Sequence, residues 1–439
     1  MSATHLSPRA AERRFYLLTT TRWLPVGFVV GIFILVQTNR GLSIAQAATI
    51  GSVMGLTCFF LELPTSGFAD AVGRRPVYVA AAVINVVAIT AYAVAQSFWA
   101  FVVAGALMGA FRALDSGPLE AWFVDTVHTT TPGVDVDGPL SRAGSILGGA
   151  IALGAVLSGL LIWWNPAATV FGDEDASALD VAVWVSAVLS VVHLVAAWVV
   201  MKEPRPAAGS ERTRVAHALI EARQTPVVIR SGLVLLGRNR VLMGIVLAEV
   251  FWSIGMITFE AFMPLRLEEM VGSAQEAGAL VGPVSAAGWG LFSVGAWLAG
   301  TTSSRIGVAR AAVVGRVLNA LGAVVMGLVM GPVGLIAAYL FTYSMHGLNG
   351  PPHEALLHRE AEAKNRSTVL SINSMMAFLA FGVAGPVFGL MADRVSLAAA
   401  MVTAGAVSIL GAFFYLPARR KERRLERDGS RVVETSSAP

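Results

Sequence analysis

Long apolar stretches separated by short polar segments dominate this sequence of 439 residues. Each stretch has about 20 residues, the length that an α-helix needs to cross the ~30 Å hydrocarbon layer of a bilayer. Six are predicted before a long polar segment near the middle, at 15–37, 43–66, 76–96, 98–124, 140–164 and 178–201. Six more are predicted after it, at 240–264, 277–301, 308–330, 332–350, 367–391 and 395–416. The pattern predicts an all-α polytopic membrane protein with twelve transmembrane helices.

The residue composition excludes a soluble globular protein. Hydrophobic residues make up 55% of the sequence and charged residues only 14%, whereas soluble domains have about 25% charged residues. The first apolar stretch is too long for the core of a signal peptide, and eleven more stretches follow it. The single cysteine, Cys58, lies within the second stretch, so an internal disulfide is not possible.

The distribution of basic residues sets the predicted topology. Most Lys and Arg residues fall in alternate segments between the spans. The opposite segments have only Arg40, Arg266 and Arg394, together with an acidic run at 173–175. The positive-inside rule then places both termini in the cytoplasm. Membrane topology therefore explains the basic balance, and nucleic acid is not expected as a partner.

The two halves of the sequence are related by an internal repeat. A shift of 234 residues aligns Gly73 with Gly307, Asp70 with Ser304, Arg112 with His346, Asp115 with Asn349, Glu120 with Glu354 and Gly148 with Gly382. Such a repeat is typical of transporters built from two related helical bundles. We predict six-helix bundles at 15–201 and 239–417, a cytoplasmic linker at 202–238, a cytoplasmic N-terminal tail at 1–14 and a basic cytoplasmic tail at 418–439.

A charged segment between the second and third spans has a recognisable pattern. Gly67, Asp70, Gly73, Arg74 and Arg75 fit the form G-x-L-a-D-r-x-G-R-[RK]. This resembles the loop between helices two and three of the major facilitator superfamily. The resemblance implies twelve helices in two pseudo-symmetric six-helix bundles and covers nearly the whole chain.

The fourth span extends this resemblance to a subgroup. Residues 115–122, with Asp125 after them, are similar to bacterial drug:proton antiporters of the superfamily. The resemblance implies a cytoplasmic charge network of Asp70, Arg74 and Asp125 that acts as a gate. The paired arginines alone would also fit simple positive-inside anchoring.

Charged side chains inside the predicted spans indicate a polar route through the protein. An ionised side chain near the middle of a lipid-facing helix costs about 3 kcal/mol, so such groups face protein or water. The spans contain Arg22, Glu62, Arg112, Asp115, Glu120, Glu249, Glu260, His346 and Glu354.

The charges of the fourth span are candidates for proton coupling. Arg112 and Asp115 are one helical turn apart, and Glu120 follows them. An Arg at this place resembles the superfamily's proton-coupled branch, whose pattern has a Gln at the position of Asp115. A carboxylate that pairs with an arginine and then separates from it can bind and release a proton. Alternatively, Asp115 forms a permanent ion pair with Arg22 that holds helix four against helix one.

The seventh span is the best candidate for substrate binding. Glu249, Trp252, Met256 and Glu260 recur at helical spacing, so acids, an aromatic ring and a thioether are expected on one face. Such a face suits cationic or amphipathic molecules, although ordinary helix packing explains the methionine equally well. Other residues expected to bind the substrate are Arg22, His346 and Asn349.

Enzymatic activity is not expected. The segment His353-Glu354-Ala355-Leu356-Leu357-His358 resembles a zinc-protease motif, but its second histidine is one residue too far along the helix to bind the metal. There is no P-loop pattern, which excludes ATP as the energy source. We therefore expect neither a metal nor a cofactor.

Secondary transport is the function that the sequence favours. We predict proton-coupled efflux of hydrophobic or cationic small molecules from the bacterial inner membrane, by antiport and alternating access, with the protein functional as a monomer. An uptake symporter or facilitator for a small metabolite would use the same scaffold, and this alternative stays open.

Overall fold

The computed structural model describes residues 6–172, 177–202, 225–361 and 366–436, and these ranges are helical without any strand. Within them, eleven helices are long and apolar enough to cross a membrane. The helix Pro332–Glu360, at the place of the tenth predicted span, is also long enough but is rich in polar residues. The prediction of an all-α polytopic fold is confirmed. The acidic run at 173–175 and most of the linker lie outside the described residues.

The spans are numbered here in chain order. Spans 1 to 6 are Pro8–Asn39, Ile44–Val72, Arg74–Val94, Phe98–Thr130, Asp137–Trp164 and Ala178–Val200. Spans 7 to 11 are Arg240–Val271, Ala274–Ile306, Val308–Leu328, Pro332–Glu360 and Arg366–Arg394, and span 12 starts with Leu397–Ile409. The shorter helices Pro166–Phe171 and Thr225–Arg238 lie between spans 5 and 6 and before span 7.

Contacts divide the chain into two compact units. The first comprises Met1–Pro226 with Leu267–Ala286, and the second Val227–Arg266 with Ala287–Pro439. In the first unit, spans 1 and 5 approach closely at Gly27 and Gly154, where a Cβ on either glycine would overlap the facing backbone. In the second unit, spans 9 and 10 approach in the same way, with Gly315 against the backbone of Asn349. Small residues at such crossings are the usual packing device of membrane helices.

The charged segment between spans 2 and 3 is not the loop that its glycines predict. Span 2 stays helical to Val72, span 3 begins at Arg74, and Gly73 alone separates them. Gly73 has φ +117°, a conformation that L side chains rarely adopt, so a glycine is needed at this position. The backbone of Asp70 lies in the last turns of span 2, and its side chain lies outside the described residues.

Span 4 is broken next to Pro118, a residue that is expected to interrupt a helix. Its first helix ends at Asp115, Gly117 adopts φ +93°, and a second helix begins at Pro118. Proline suits the first position of a helix, where its missing N–H has no partner to lose. The break leaves the Asp115 carboxylate at the C-terminal end of a helix, where the helix dipole disfavours a negative charge. Asp115 therefore needs a nearby cation.

Spans 10 and 7 also differ from what their residues predict. A proline within a helix is expected to break it, but the helix Pro332–Glu360 passes through Pro351 and Pro352. Membrane helices tolerate proline because neighbouring groups can satisfy the freed carbonyls. Span 7 is instead interrupted by a π-helical segment, Ile257–Phe262. The α-helical spacing that predicts Glu249 and Glu260 on one face does not continue through this segment.

The basic tail continues span 12 as the helix Leu416–Ser436. The two Glu422 carboxylate oxygens accept hydrogen bonds from the amides of Val308, at 2.9 Å, and Ala309, at 3.1 Å. Arg359 lies 3.4 Å from the same carboxylate. An anion at a helix N-terminus satisfies unpaired amides and the helix dipole. Glu422 thus caps span 9, beside the last turn of span 8, which has Ser304 at the repeat position of Asp70.

Arg40 anchors the end of span 1 to the end of span 3. Its guanidinium donates hydrogen bonds to the carbonyls of Tyr92, Ala93 and Ala95, at 2.6–3.2 Å, and to Asp180 at 2.8 Å. The last carbonyls of a helix lack intrahelical partners and interact well with a cation.

We expect Arg40→Ala to destabilise the folded protein by about 3 kcal/mol, because three helix-end carbonyls and a carboxylate lose a charged donor. Thermal unfolding of the purified protein in detergent measures the effect. Arg394→Ala, which removes an exposed arginine, is the matched control and should leave the midpoint unchanged. Equal midpoints for the two variants would contradict this role of Arg40.

Candidate functional site

Buried charged side chains form one cluster in each unit. In the first unit, the Arg22 side chain lies between the rings of Trp23 and Phe111, with centroids 4.6 and 4.3 Å from its guanidinium carbon. Its Nε and Nη2 atoms both lie 2.8 Å from one carboxylate oxygen of Asp115. Both side chains are largely buried, with exposures of 6% and 13%. This arrangement holds span 1 tightly against the break in span 4.

The three residues predicted to couple protons are not brought together in one cluster. Asp115 pairs with Arg22, whereas Arg112 is exposed and lies within electrostatic reach of Glu62. Glu120 is exposed in the first turn of the helix that follows the break, within electrostatic reach of Asp115. The geometry at Asp115 is therefore that of the alternative interpretation, an ion pair that links helices one and four.

The cluster of the second unit centres on Arg316 in span 9, which is fully buried. Its Nη2 lies 3.6 Å from a Glu249 carboxylate oxygen and 3.1 Å from the hydroxyl oxygen of Tyr415. The amide of Asn349, turned so that its oxygen faces the guanidinium, accepts a third contact from Nη2 at 3.0 Å. The Trp252 ring lies 5.2 Å from the guanidinium carbon. Arg316 thus has one charged and two neutral oxygen partners.

His353 completes this cluster between Glu249 and Tyr415. Its Nδ1 lies 2.6 Å from the Tyr415 hydroxyl, and its Nε2 lies 3.4 Å from Glu249 and 3.4 Å from the amide oxygen of Asn373. The tautomer with hydrogen on Nε2 satisfies every contact, since Tyr415 then donates to Nδ1 and accepts from Arg316. The residues Glu249, Arg316, Asn349, His353 and Tyr415 are called the arginine cluster below.

Sequence reasoning missed three members of the arginine cluster. Arg316 is a charge within an apolar span, and the cost of burying it was a signal that would have found it. His353 drew attention only as part of a defective zinc motif. Tyr415 gave no signal, because one tyrosine at the end of an apolar span does not differ from a membrane-interface aromatic residue.

A second acid in the same unit is hydrogen-bonded to a member of an aromatic cluster. Glu260 lies in the π-helical segment of span 7, and its carboxylate accepts a hydrogen bond from Tyr343 at 2.5 Å. Rings from spans 7, 8 and 10 contact one another at centroid distances of 4.8–6.0 Å. They are Trp252, Phe259, Trp289, Phe292, Tyr339, Tyr343 and His346, called the aromatic cluster below. Met256 is partly buried one turn before Glu260.

Two polar atoms in the aromatic cluster are buried without a hydrogen-bond partner among the described residues. They are the indole Nε1 of Trp252 and the Nδ1 of His346. Buried polar atoms are almost always hydrogen-bonded, so an exception marks a place that a ligand can satisfy. The cluster thus offers aromatic faces, a carboxylate and two hydrogen-bonding atoms.

The predicted gate residues are partly brought together. Arg74 Nε lies 3.3 Å from a carboxylate oxygen of Asp125, and Arg75 donates a hydrogen bond to the Trp198 carbonyl at 2.9 Å. Gly73 is the hinge residue between spans 2 and 3. The side chains at positions 67 and 70 lie outside the described residues, so the network is described only for Arg74 and Asp125.

The described ranges bring no three histidine, cysteine, aspartate or glutamate side chains into a group that could bind a metal ion. His353 and His358 both lie on the continuous helix Pro332–Glu360. Cys58 is buried as a free thiol.

Membrane-spanning helices that bury paired charges and aromatic polar sites form the framework of a secondary transporter. The sequence profile of the Major Facilitator Superfamily matches residues 15–352 and 295–437, and the chain belongs to this family. It is thus a multi-pass membrane transporter and not an enzyme.

Solved structures of this fold superpose on nearly the whole chain. The nucleoside transporter NupG has a TM-score of 0.73 at 12% identity, covering 93% of this chain and 98% of its own. A peptide transporter POT in complex with sulfate has a TM-score of 0.73 at 14% identity, covering 96% and 98%. A POT family transporter in complex with 5-aminolevulinic acid has a TM-score of 0.68 at 14% identity, covering 96% and 99%. No curated protein matches significantly in sequence. At these identities the likeness shows the fold alone.

We expect Asp115→Asn to destabilise the protein by about 3–5 kcal/mol, because it leaves the buried Arg22 guanidinium without its counter-charge. The double variant Arg22→Met with Asp115→Leu should recover most of that loss, since apolar residues can replace a buried ion pair. Thermal unfolding in detergent tests both. A double variant less stable than the single one would contradict the role of Asp115 as a fixed partner of Arg22.

Proposed function

We propose that the protein exports hydrophobic, cationic small molecules in exchange for protons. The observation that carries the proposal is the position of Glu260, a carboxylate in a π-helical segment that is hydrogen-bonded to Tyr343 of the aromatic cluster. The drug:proton antiporter resemblance of the sequence supports the same direction. The protein then acts by alternating access in the bacterial inner membrane, as a monomer with both termini in the cytoplasm.

The chemistry of the aromatic cluster suits a cation with apolar substituents. Aromatic faces attract cations by about 0.5–2 kcal/mol each, and the effect is larger where water is excluded. Glu260 adds a full negative charge, and its bond to Tyr343 fixes the carboxylate in place. Substituents of different shape can pack against rings and the Met256 thioether, which favours a broad substrate range.

The π-helical segment explains how Glu260 contacts Tyr343 of the aromatic cluster. A π-turn widens the helix by one residue and is found mostly at functional sites. Here it lies between the helices Arg240–Met256 and Met263–Val271, and it contains both Phe259 and Glu260. The distortion places an acid and a ring of the same segment in contact with Tyr343.

Uptake together with protons is the competing proposal. The similar structures include a nucleoside transporter and proton-dependent oligopeptide transporters. Rings such as Trp252 and His346, stacked at 4.8 Å, would also suit the flat base of a nucleoside. A carboxylate bonded to the aromatic cluster favours a cation over a neutral base, and this ranks export of cations first.

We expect Glu260→Gln to weaken binding of the lipophilic cation tetraphenylphosphonium by about tenfold, since one charge–charge and charge–ring contact is lost. Binding to the purified protein is measured by calorimetry. The matched control is Glu276→Gln, which removes an exposed acid in the first turn of span 8. Equal affinities for the wild type and Glu260→Gln would contradict the cation site.

Transport itself is tested in everted vesicles that carry a proton gradient. Addition of tetraphenylphosphonium should dissipate the gradient in vesicles containing the wild-type protein and not in vesicles without it. A panel of nucleosides and dipeptides is added in parallel. If only these neutral or zwitterionic compounds move protons, the direction and substrate class are those of the uptake alternative, and the export proposal is wrong.

A further inference from the structure

The arginine cluster connects four helices of the second unit through one closed set of contacts. Arg316 Nη2 contacts the Tyr415 hydroxyl, Tyr415 contacts His353, His353 Nε2 contacts Glu249, and Glu249 faces Arg316 again. Glu249 is 8% exposed and His353 is 5% exposed. A closed circuit of this kind around a buried acid exceeds what helix packing requires.

We infer that Glu249 is the site at which the exchanged proton binds, and that Arg316, His353 and Tyr415 are positioning residues that hold its carboxylate ready in both charge states. This inference rests on the proposed proton exchange and specifies where in the chain the proton is bound. It assigns the proton to the second unit and away from the fourth-span residues that the sequence favoured.

The contacts of the two buried acids differ in a way that bears on proton binding. Asp115 is held by two 2.8 Å contacts to Arg22. Glu249 lies 3.6 Å from Arg316 and 3.4 Å from His353. Two short charge-assisted hydrogen bonds to one carboxylate are strong interactions. The contacts of Glu249 are longer, so less interaction energy is lost when a proton neutralises its carboxylate.

The partners of Arg316 show why loss of the Glu249 charge can be tolerated. The guanidinium also contacts the Tyr415 hydroxyl, the Asn349 amide oxygen and the Trp252 ring. These neutral groups remain when Glu249 is protonated, so Arg316 is not left without acceptors. Arg22 has no comparable set, because its neutral contacts are rings. Each arginine also has guanidinium nitrogens without a hydrogen-bond partner among the described residues: Nη1 of Arg22, and Nε and Nη1 of Arg316.

The proton balance of the step is simple. A proton from water on one side of the membrane adds to one Glu249 oxygen, which forms an O–H bond and removes the negative charge facing Arg316. When the substrate binds, the O–H bond breaks and the proton leaves to water on the other side. Arg316 and His353 contact the same Tyr415 hydroxyl. A proton on His353 would therefore place a second positive charge close to Arg316, which is unfavourable.

Charged and titratable groups reach Glu249 from the neighbouring spans. Span 9 provides Arg316, span 10 provides His353 and Glu354, and span 12 provides Tyr415. Span 11 contributes the neutral amide of Asn373. Glu354 is exposed, and its negative charge acts on Glu249 at longer range.

The inference is tested by counting protons released on substrate binding. Calorimetry with tetraphenylphosphonium in two buffers of different ionisation enthalpy gives this number for the purified protein. We expect the wild type to release protons, and Glu249→Gln to bind the cation and release none. Glu276→Gln, which removes an exposed acid in the first turn of span 8 outside the circuit, is the matched control and should release protons as the wild type does.

Two further variants keep the inference testable if Glu249→Gln does not fold. Glu249→Asp should retain proton release with a shifted pH profile, because the carboxylate is withdrawn by one methylene. Tyr415→Phe should also shift the profile without abolishing release, since it breaks the contact between Arg316 and His353. A purely structural role for the cluster would leave the pH profiles of folded variants unchanged.

Different outcomes would contradict the proton site at Glu249 and the proposed proton exchange. If the wild type binds the cation without releasing protons, the proposed proton exchange fails. If the wild type and Glu249→Gln release protons equally, Glu249 is not the proton site and this inference alone is overturned. If Glu249→Asp and Tyr415→Phe fold and keep the wild-type profile, the inference is likewise overturned.

Discussion

Charges buried between membrane helices must find their partners inside the protein, and the rest of this structure depends on that constraint. Hydrocarbon offers no hydrogen bonds, so an unpaired guanidinium there is far more costly than a paired one. Each unit meets the constraint separately, with Arg22 and Asp115 in the first and the arginine cluster in the second. The two solutions differ: one is a tight pair, the other a loose circuit with neutral members.

The repeat makes this difference informative. Asp115 and Asn349 occupy equivalent positions and each contacts a buried arginine of its own unit. The arginines come from different places, span 1 in the first unit and span 9 in the second. In the first unit the repeat position holds the acid, Asp115, that pairs with the arginine. In the second unit it holds the neutral amide of Asn349, and the acid that faces the arginine is Glu249. The second unit thereby has an acid that can change its charge without leaving its arginine unpartnered.

Much of the fold could be predicted from hydropathy because span length and spacing are imposed by bilayer thickness. The site could be predicted only in part. The residues Glu249, Glu260, His346 and Asn349 stood out as polar groups in apolar spans, but which ones meet depends on helix rotation. The π-helical segment and the break at Gly117 alter that rotation. Pro118 signals the break, whereas the π-helical segment has no distinctive local signal. The segment before Gly73 misled for the opposite reason, since Gly67, which predicts a loop, lies within the helix Ile44–Val72.

The cap formed by Glu422 has a consequence for how the second half of the chain is assembled. The carboxylate follows the amide that it caps by 114 residues. Chains are synthesised at about 5–20 residues per second, so the cap arrives roughly 6–23 s after the start of span 9 has left the site of synthesis. During that interval the first amides of this helix must be satisfied by water or lipid headgroups. A helix that is made later thus completes one that was inserted long before it, and the start of span 9 reaches its final form only after the helix Leu416–Ser436 has been made.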